Sequence, residues 1–186
     1  MHIKFLPKKS LGQNFIFDEN ILKKIVSHLG LEKKDTVLEI GAGLGTLTNF
    51  LIKSAGEVIA LEIDKRAVEV LHDKFKDEKN IEIVNQDILK YVIPRKFIRK
   101  KLIVVGNIPF YITSPIIERL FGFRDRIDSI FLTVQKEVAK RIAAKPSTKD
   151  YGALTCFVRY HSRPEILFDI KAGSFSPAPK VDAAFI

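Results

Sequence analysis

The chain has 186 residues, 46% of them hydrophobic, enough for one domain of ordinary size with a good core. Lys and Arg outnumber Asp and Glu by 31 to 22, and the net charge of +9 favours a polyanionic partner, while no segment is long and apolar enough to cross a membrane. A single cysteine, Cys156, excludes an intramolecular disulfide and suits a reducing, cytoplasmic setting; His2, His28, His72 and His161 lack metal-ligand spacing, so no metal is expected.

Taken in chain order, Lys4, Lys8 and Lys9 are not followed by the apolar core of a signal peptide, because Gln13, Asn14, Asp18, Glu19 and Asn20 interrupt it. Asp18 is placed to cap a helix whose stripe of Ile21, Leu22, Ile25, Val26 and Leu29 ends at Gly30. A short apolar run over 36–40 meets the glycine-rich turn Gly41-Ala-Gly-Leu-Gly45, and 46–54 reads as a helix with Leu47, Phe50 and Leu51 inward. A strand over 58–62 precedes a helix capped by Asp64, with Ala67, Val68, Leu71 and Phe75 inward. Strands follow at 81–84 and 102–105, a helix near 115–121, a strand at 129–134 and a helix over 135–144. Residues 145–150 form a polar connection to a helix over 153–161, and 165–170 and 181–186 read as the last strands. Alternation of this kind predicts an α/β fold, doubly wound, with a mostly parallel sheet and helices on both faces.

Four successive strand ends carry Gly41, Glu62, Asp87 and Asn107, at the positions where ligands bind in open α/β sheets. Glycines at alternate positions let the backbone pass close to a ligand beside a helix N-terminus, but the spacing G-x-G-x-G lacks the third glycine of the dinucleotide pattern. A carboxylate in the place of Glu62 suits ribose hydroxyls, and Asp87 can accept from an adenine amino group while Ile88 covers the ring edge. Asn107-Ile-Pro-Phe-Tyr-Ile-Thr113 then matches the chemistry of methylating an amino group on a planar base. The side-chain oxygen of Asn107 and the carbonyl of Ile108 can accept both amino hydrogens, which localises the nitrogen lone pair toward a methyl donor. Pro109 stiffens the turn and Phe110 offers a face for stacking. Those four residues alone fit a strand end broken by proline better; the weight comes from the other three strand ends.

On these residues the chain resembles the KsgA-type small-subunit rRNA adenine dimethyltransferases along nearly its whole length. The resemblance lies in Lys9-Ser-Leu-Gly-Gln-Asn-Phe15, in Val37-Leu-Glu-Ile-Gly-Ala-Gly-Leu-Gly-Thr-Leu-Thr48, in Val134-Gln-Lys-Glu-Val-Ala-Lys-Arg141 with Asp150-Tyr-Gly152, and in Phe175-Ser-Pro-Ala-Pro-Lys-Val-Asp182. It implies the Rossmann-like fold of class I S-adenosylmethionine-dependent methyltransferases, with a mostly parallel seven-stranded sheet, and dimethylation of adenine N6 in small-subunit rRNA during ribosome biogenesis. Gln13, Asn14, Ile16, Gly41, Gly43, Glu62, Ile63, Asp87, Ile88 and Asn107 would hold S-adenosylmethionine; Asn107, Ile108, Pro109 and Phe110 would act on the amine; and Phe110 and Phe175 would meet the target base. Phe110 stands where the family usually has tyrosine, so stacking survives without a phenolic hydroxyl. The other readings are an Erm-like large-subunit rRNA methyltransferase and a non-catalytic RNA-binding assembly or transcription factor.

The resemblance further implies a catalytic domain over 1–186, with 1–17 as a cofactor-contacting segment and nothing corresponding to the family's C-terminal helical domain. A monomer that engages small-subunit rRNA or its precursor particle is expected. Basic residues cluster at 4–9, 95–101 and 119–126, with Lys145, Lys149 and Arg163 beyond, and the sequence leaves open which cluster faces the active site.

Overall fold

The computed structural model of the chain describes residues 7, 8 and 11–186. Lys4, and Lys9 and Ser10 at the head of the N-terminal motif, lie outside the described residues. The chain opens with a two-residue strand, β1 (Phe15–Ile16), and helix α1 (Glu19–Leu29). Strands and helices then alternate as β2 (Thr36–Ile40), α2 (Thr48–Ser54), β3 (Glu57–Glu62), α3 (Lys65–Lys74) and β4 (Ile81–Asn85). After β5 (Leu102–Asn107), α4 (Thr113–Phe121) and β6 (Ile127–Gln135) come α5 (Lys136–Ile142), α6 (Ala153–His161) and the short strands β7 (Phe168–Ile170), β8 (Phe175–Ser176) and β9 (Ala183–Phe185).

Seven strands form one sheet in the order β4-β3-β2-β5-β6-β9-β7. The pairs from β4 to β6 are parallel, and β9 alone runs against its neighbours β6 and β7. The central strand β2 is buried at all five positions, because helices cover both faces. Period-two alternation sorts its side chains: Leu38 and Ile40 join Ile59, Leu61 and Val104 under α4, α5 and α6, whereas Val37, Val58, Ala60 and Val105 pack under α1, α2 and α3.

Helix ends follow the capping residues. The Asp18 carboxylate accepts from the N–H groups of Asn20 and Ile21, and α1 ends on Gly30 in the left-handed conformation, φ 58°. The expected helix over 46–54 starts two residues later, after the glycine turn; that near 115–121 starts at Thr113, with Pro115 in its first turn; and Gln135 ends β6 instead of opening α5. The last two expected strands are shorter than 165–170 and 181–186: Phe168–Ile170 and Ala183–Phe185 form strand, flanked by backbone bonds from Leu167 to Phe185 and between Ile186 and Leu132.

Order along the sheet reverses between β2 and β5. The chain runs outward from β2 to β4 and then returns to lay β5 on the other side of β2, which opens a crevice at the carboxyl ends of these two strands. Residues 95–101 lie at the opposite edge, since they lead into the start of β5, where the Leu102 N–H donates to the Arg126 carbonyl at 2.9 Å. The basic run at 119–126 is partly structural. Arg119 donates to the carbonyl of Tyr91 at 2.8 Å, Arg126 donates to that of Ile93, and both guanidinium groups lie over Phe123, 4.7 and 5.3 Å from its ring centre.

Candidate active site

At the crevice is a cleft of about 230 Å³ that brings together Gln13, Asn14, Gly41, Glu62, Asp87 and Asn107, with Ile63, Ile88 and Pro109 around them. Gly41, Glu62, Asp87 and Asn107 meet here because each follows or ends a parallel strand, and Gln13 and Asn14 reach them from the segment that precedes β1. A larger groove of about 620 Å³, between α4, α6 and β6, contains none of the expected site residues.

The glycine turn is shaped around its neighbours. Gly41 has φ 73°, and a Cβ there would find only the Asn107 carbonyl oxygen within 4 Å, at 3.8 Å, so the backbone is open on the ligand side. Gly43 has φ 56°, and a Cβ would come within 2.6 Å of the Phe15 ring; its role is to let the N-terminal segment close over the turn.

Glu62 ends β3 and is 5% exposed. One carboxylate oxygen accepts from the Gly43 N–H and the other from the Asp64 N–H, both at 2.8 Å, and lone pairs remain for two further donors. Burial pushes the acid upward, and the backbone donors pull it back. Asp87 accepts from the Leu89 N–H through Oδ1 at 2.9 Å, and its Oδ2 accepts no hydrogen bond among the described residues. Exposed Ile63 and buried Ile88 supply apolar walls on the same side of the cleft.

Asn107 closes β5. Its Nδ2 donates to the backbone carbonyl of Asn14 at 2.6 Å. A carbonyl only accepts, so this bond fixes which end of the amide is nitrogen and frees the Asn107 oxygen to accept from another donor. Pro109 has φ −60° and ψ 128°, and a single 3₁₀ turn over Phe110–Ile112 leads into α4.

Five expected site residues do not line the cleft: Ile108, which is 2% exposed in the core under α4, together with Ile16, Gly43, Phe110 and Phe175. Ile16 is 3% exposed and packs in the core under α1 and α2. Gly43 acts through its N–H on Glu62. Phe175 is 2% exposed, paired with Ile16 between β1 and β8, so its ring is a core aromatic. Phe110 is half-buried against the same core. Gln86 and Tyr111 line the cleft without having been expected to. Tyr111, 65% exposed, adjoins the proline turn, and that adjacency was the available signal.

A sequence profile described as ribosomal RNA adenine dimethylase matches residues 4–186. The chain belongs to the ribosomal RNA adenine dimethylase family. Relatives named ribosomal RNA small subunit methyltransferase A, from Alkaliphilus metalliredigens and Listeria welshimeri, are each 44% identical over 98% of this chain. The chain spans 65% and 64% of their respective lengths. Among solved structures, a dimethyladenosine transferase from Plasmodium falciparum superposes with a TM-score of 0.84 at 32% identity, over 92% of this chain and 61% of its own. The 23S rRNA methyltransferase ErmE gives 0.80 at 31%, over 92% and 68%. The fold is that of the S-adenosylmethionine-dependent methyltransferases.

Proposed function

We propose that the chain transfers methyl groups from S-adenosylmethionine to N6 of adenines in small-subunit rRNA, two per adenine, as part of ribosome biogenesis. Residues 1–186 act as the cofactor-binding catalytic unit, with 1–17 as its contacting segment. The observation that carries the reading is the Asn107 amide, held by the Asn14 carbonyl so that its oxygen is available to an amine in the cleft.

The donor set fits the cofactor: a buried carboxylate at the end of β3 for ribose hydroxyls, Asp87 for an adenine amino group, Ile63 and Ile88 for the faces of the ring, and open space over Gly41. When bound, S-adenosylmethionine supplies an electrophilic methyl carbon on a sulfonium. The Asn107 oxygen and the Ile108 carbonyl accept the two N6 hydrogens, directing the nitrogen lone pair along the line of displacement. No covalent enzyme intermediate is needed. Phe110 and Pro109 give the base an apolar face, and Phe175 supports that side from beneath through Ile16 rather than by touching the base. The adenine reaches the cleft unpaired, swung out of its stack.

Replacing Asn107 by Ala is expected to lower methylation of small-subunit RNA by at least about 100-fold, the scale of losing one polarising group, with an unchanged melting temperature. Near-normal turnover in that variant overturns the role. Calorimetry with S-adenosylmethionine separates this reading from a non-catalytic RNA-binding protein, for which no cofactor binding is expected.

A further inference from the structure

Leu11 to Phe15, five consecutive residues, form one wall of the cleft. At its carboxyl end this strap is held by the pairing of Phe15 and Ile16 with Ser176 and Phe175. Nearer its amino end the fastening is a side chain. Gln13 Nε2 donates to Asp64 Oδ2 at 3.2 Å, and Gln13 Oε1 accepts from the Lys8 N–H at 2.7 Å. Both ends of the Gln13 amide are thus engaged within the protein, although the residue lines the cleft.

Asp64 is an unusual anchor. Its side chain is 1% exposed, its backbone N–H donates to Glu62, and its Oδ1 caps α3 through the Arg66 N–H at 3.2 Å. Buried carboxylates stay ionised only when surrounded by donors. Here the Arg66 guanidinium supplies them at 3.1 and 2.6 Å, with Lys8 Nζ at 3.7 Å. One residue therefore touches the ribose-side acid through its backbone N–H, and the helix start and the strap through its carboxylate.

We infer that Asp64 is a positioning residue that latches the strap across the cofactor cleft through Gln13, and thereby sets the Asn14 carbonyl that orients Asn107. The inference rests on the methyltransferase reading above. Gln13 and Asn14 are adjacent, so a strap that slips at Gln13 carries the Asn14 carbonyl away from the amide it holds. The latch makes the cofactor's wall and the amine's acceptor parts of one device.

The test is calorimetry with S-adenosylmethionine, together with amide hydrogen exchange over residues 11–17, on the whole chain and on Q13A, Q13E, D64N and the pair Q13E/D64N. Asn at position 64 keeps an oxygen for the helix cap but turns an amide donor toward the Gln13 donor. Q13A and D64N are expected to bind the cofactor about tenfold more weakly, the loss of one hydrogen bond to a charged group. Q13E, which sets its own carboxylate against that of Asp64, should be weaker still. The exchanged pair restores donor to acceptor and should recover both affinity and cofactor-dependent protection of the strap, a rescue that a purely structural Asp64 would not give. If D64N fails to fold, Q13A and Q13E decide alone, because they leave the cap and Arg66 in place. Wild-type affinity in Q13A and Q13E, or additive losses in the pair, overturns the latch. Failure of the unaltered chain to bind the cofactor overturns the methyltransferase reading itself.

Discussion

Glu39 shows how far one residue's setting can depart from its sequence context. It sits inside β2, 2% exposed, with Thr48 donating to its Oε2 at 2.6 Å. Burial pushes its carboxyl up to about 7, opposed by the Thr48 hydroxyl and by Lys74, and reinforced by Glu62. An acid raised by folding stabilises the fold fully below its unfolded value near 4.5, and that contribution disappears as pH rises through about 7. A buried group shifted this far corresponds to roughly 3 kcal/mol of pH-dependent stability. Glu39→Gln keeps the acceptor for Thr48 and removes the charge, so its melting temperature should fall less than that of the unaltered chain between pH 5 and pH 8. Equal declines in the two proteins would refute the assignment. The sequence shows only an acid in an apolar strand; that it faces the Thr48 hydroxyl under α2 depends on the helix start, which lies two residues beyond the expected one. Glu62 and Asn107 were legible because they end strands whose apolar runs are unambiguous. Asp64 was legible only as a helix cap, because its partner Gln13 lies 51 residues away and no local pattern joins them.

Elements with strong periodicity or a capping side chain were read correctly from the sequence, and those defined by tertiary pairing were not. Helix α1 has both signals, an aspartate at its start and a glycine at its end, and it appears where they place it. Replacing Asp18 by Ala should cost about 1 kcal/mol in denaturant unfolding and leave cofactor affinity unchanged, since the cap lies outside the cleft. A loss of cofactor affinity parallel to the loss of stability would instead tie α1 to the site. Strands β1 and β8 escaped notice because two residues cannot show alternation, and their pairing joins segments some 160 residues apart. That pairing moved Phe175 from an expected base contact into the core. The one-residue difference at Gln135 has a similar origin: its β pairing with Ala183 extends β6 past the point where the helical pattern begins.

Across the whole molecule, the basic cluster at 95–101 and the cleft occupy different edges of the sheet. The cleft lies at the carboxyl ends of β2 and β5. Arg95, Lys96, Arg99, Lys100 and Lys101, all exposed and in no salt bridge among the described residues, project at the amino end of β5. Six residues of strand separate the two edges, about 20 Å at ~3.3 Å per residue. RNA binding is therefore expected to weaken steeply between 50 and about 200 mM salt, whereas cofactor affinity changes little, as paired titrations would show. Lys100→Glu with Lys101→Glu should weaken RNA binding and leave cofactor affinity intact if this edge contributes. The order of the strands was predictable only as a class of fold, because which strand neighbours which depends on connections that carry no periodic signal.

The separation of these edges also has a kinetic meaning. A polyanion captured at residues 95–101 does not cover the crevice between β2 and β5, so it leaves the cofactor free to enter and leave. Inhibition by such an anion would be noncompetitive toward S-adenosylmethionine and relieved by salt or by RNA that competes for the same edge.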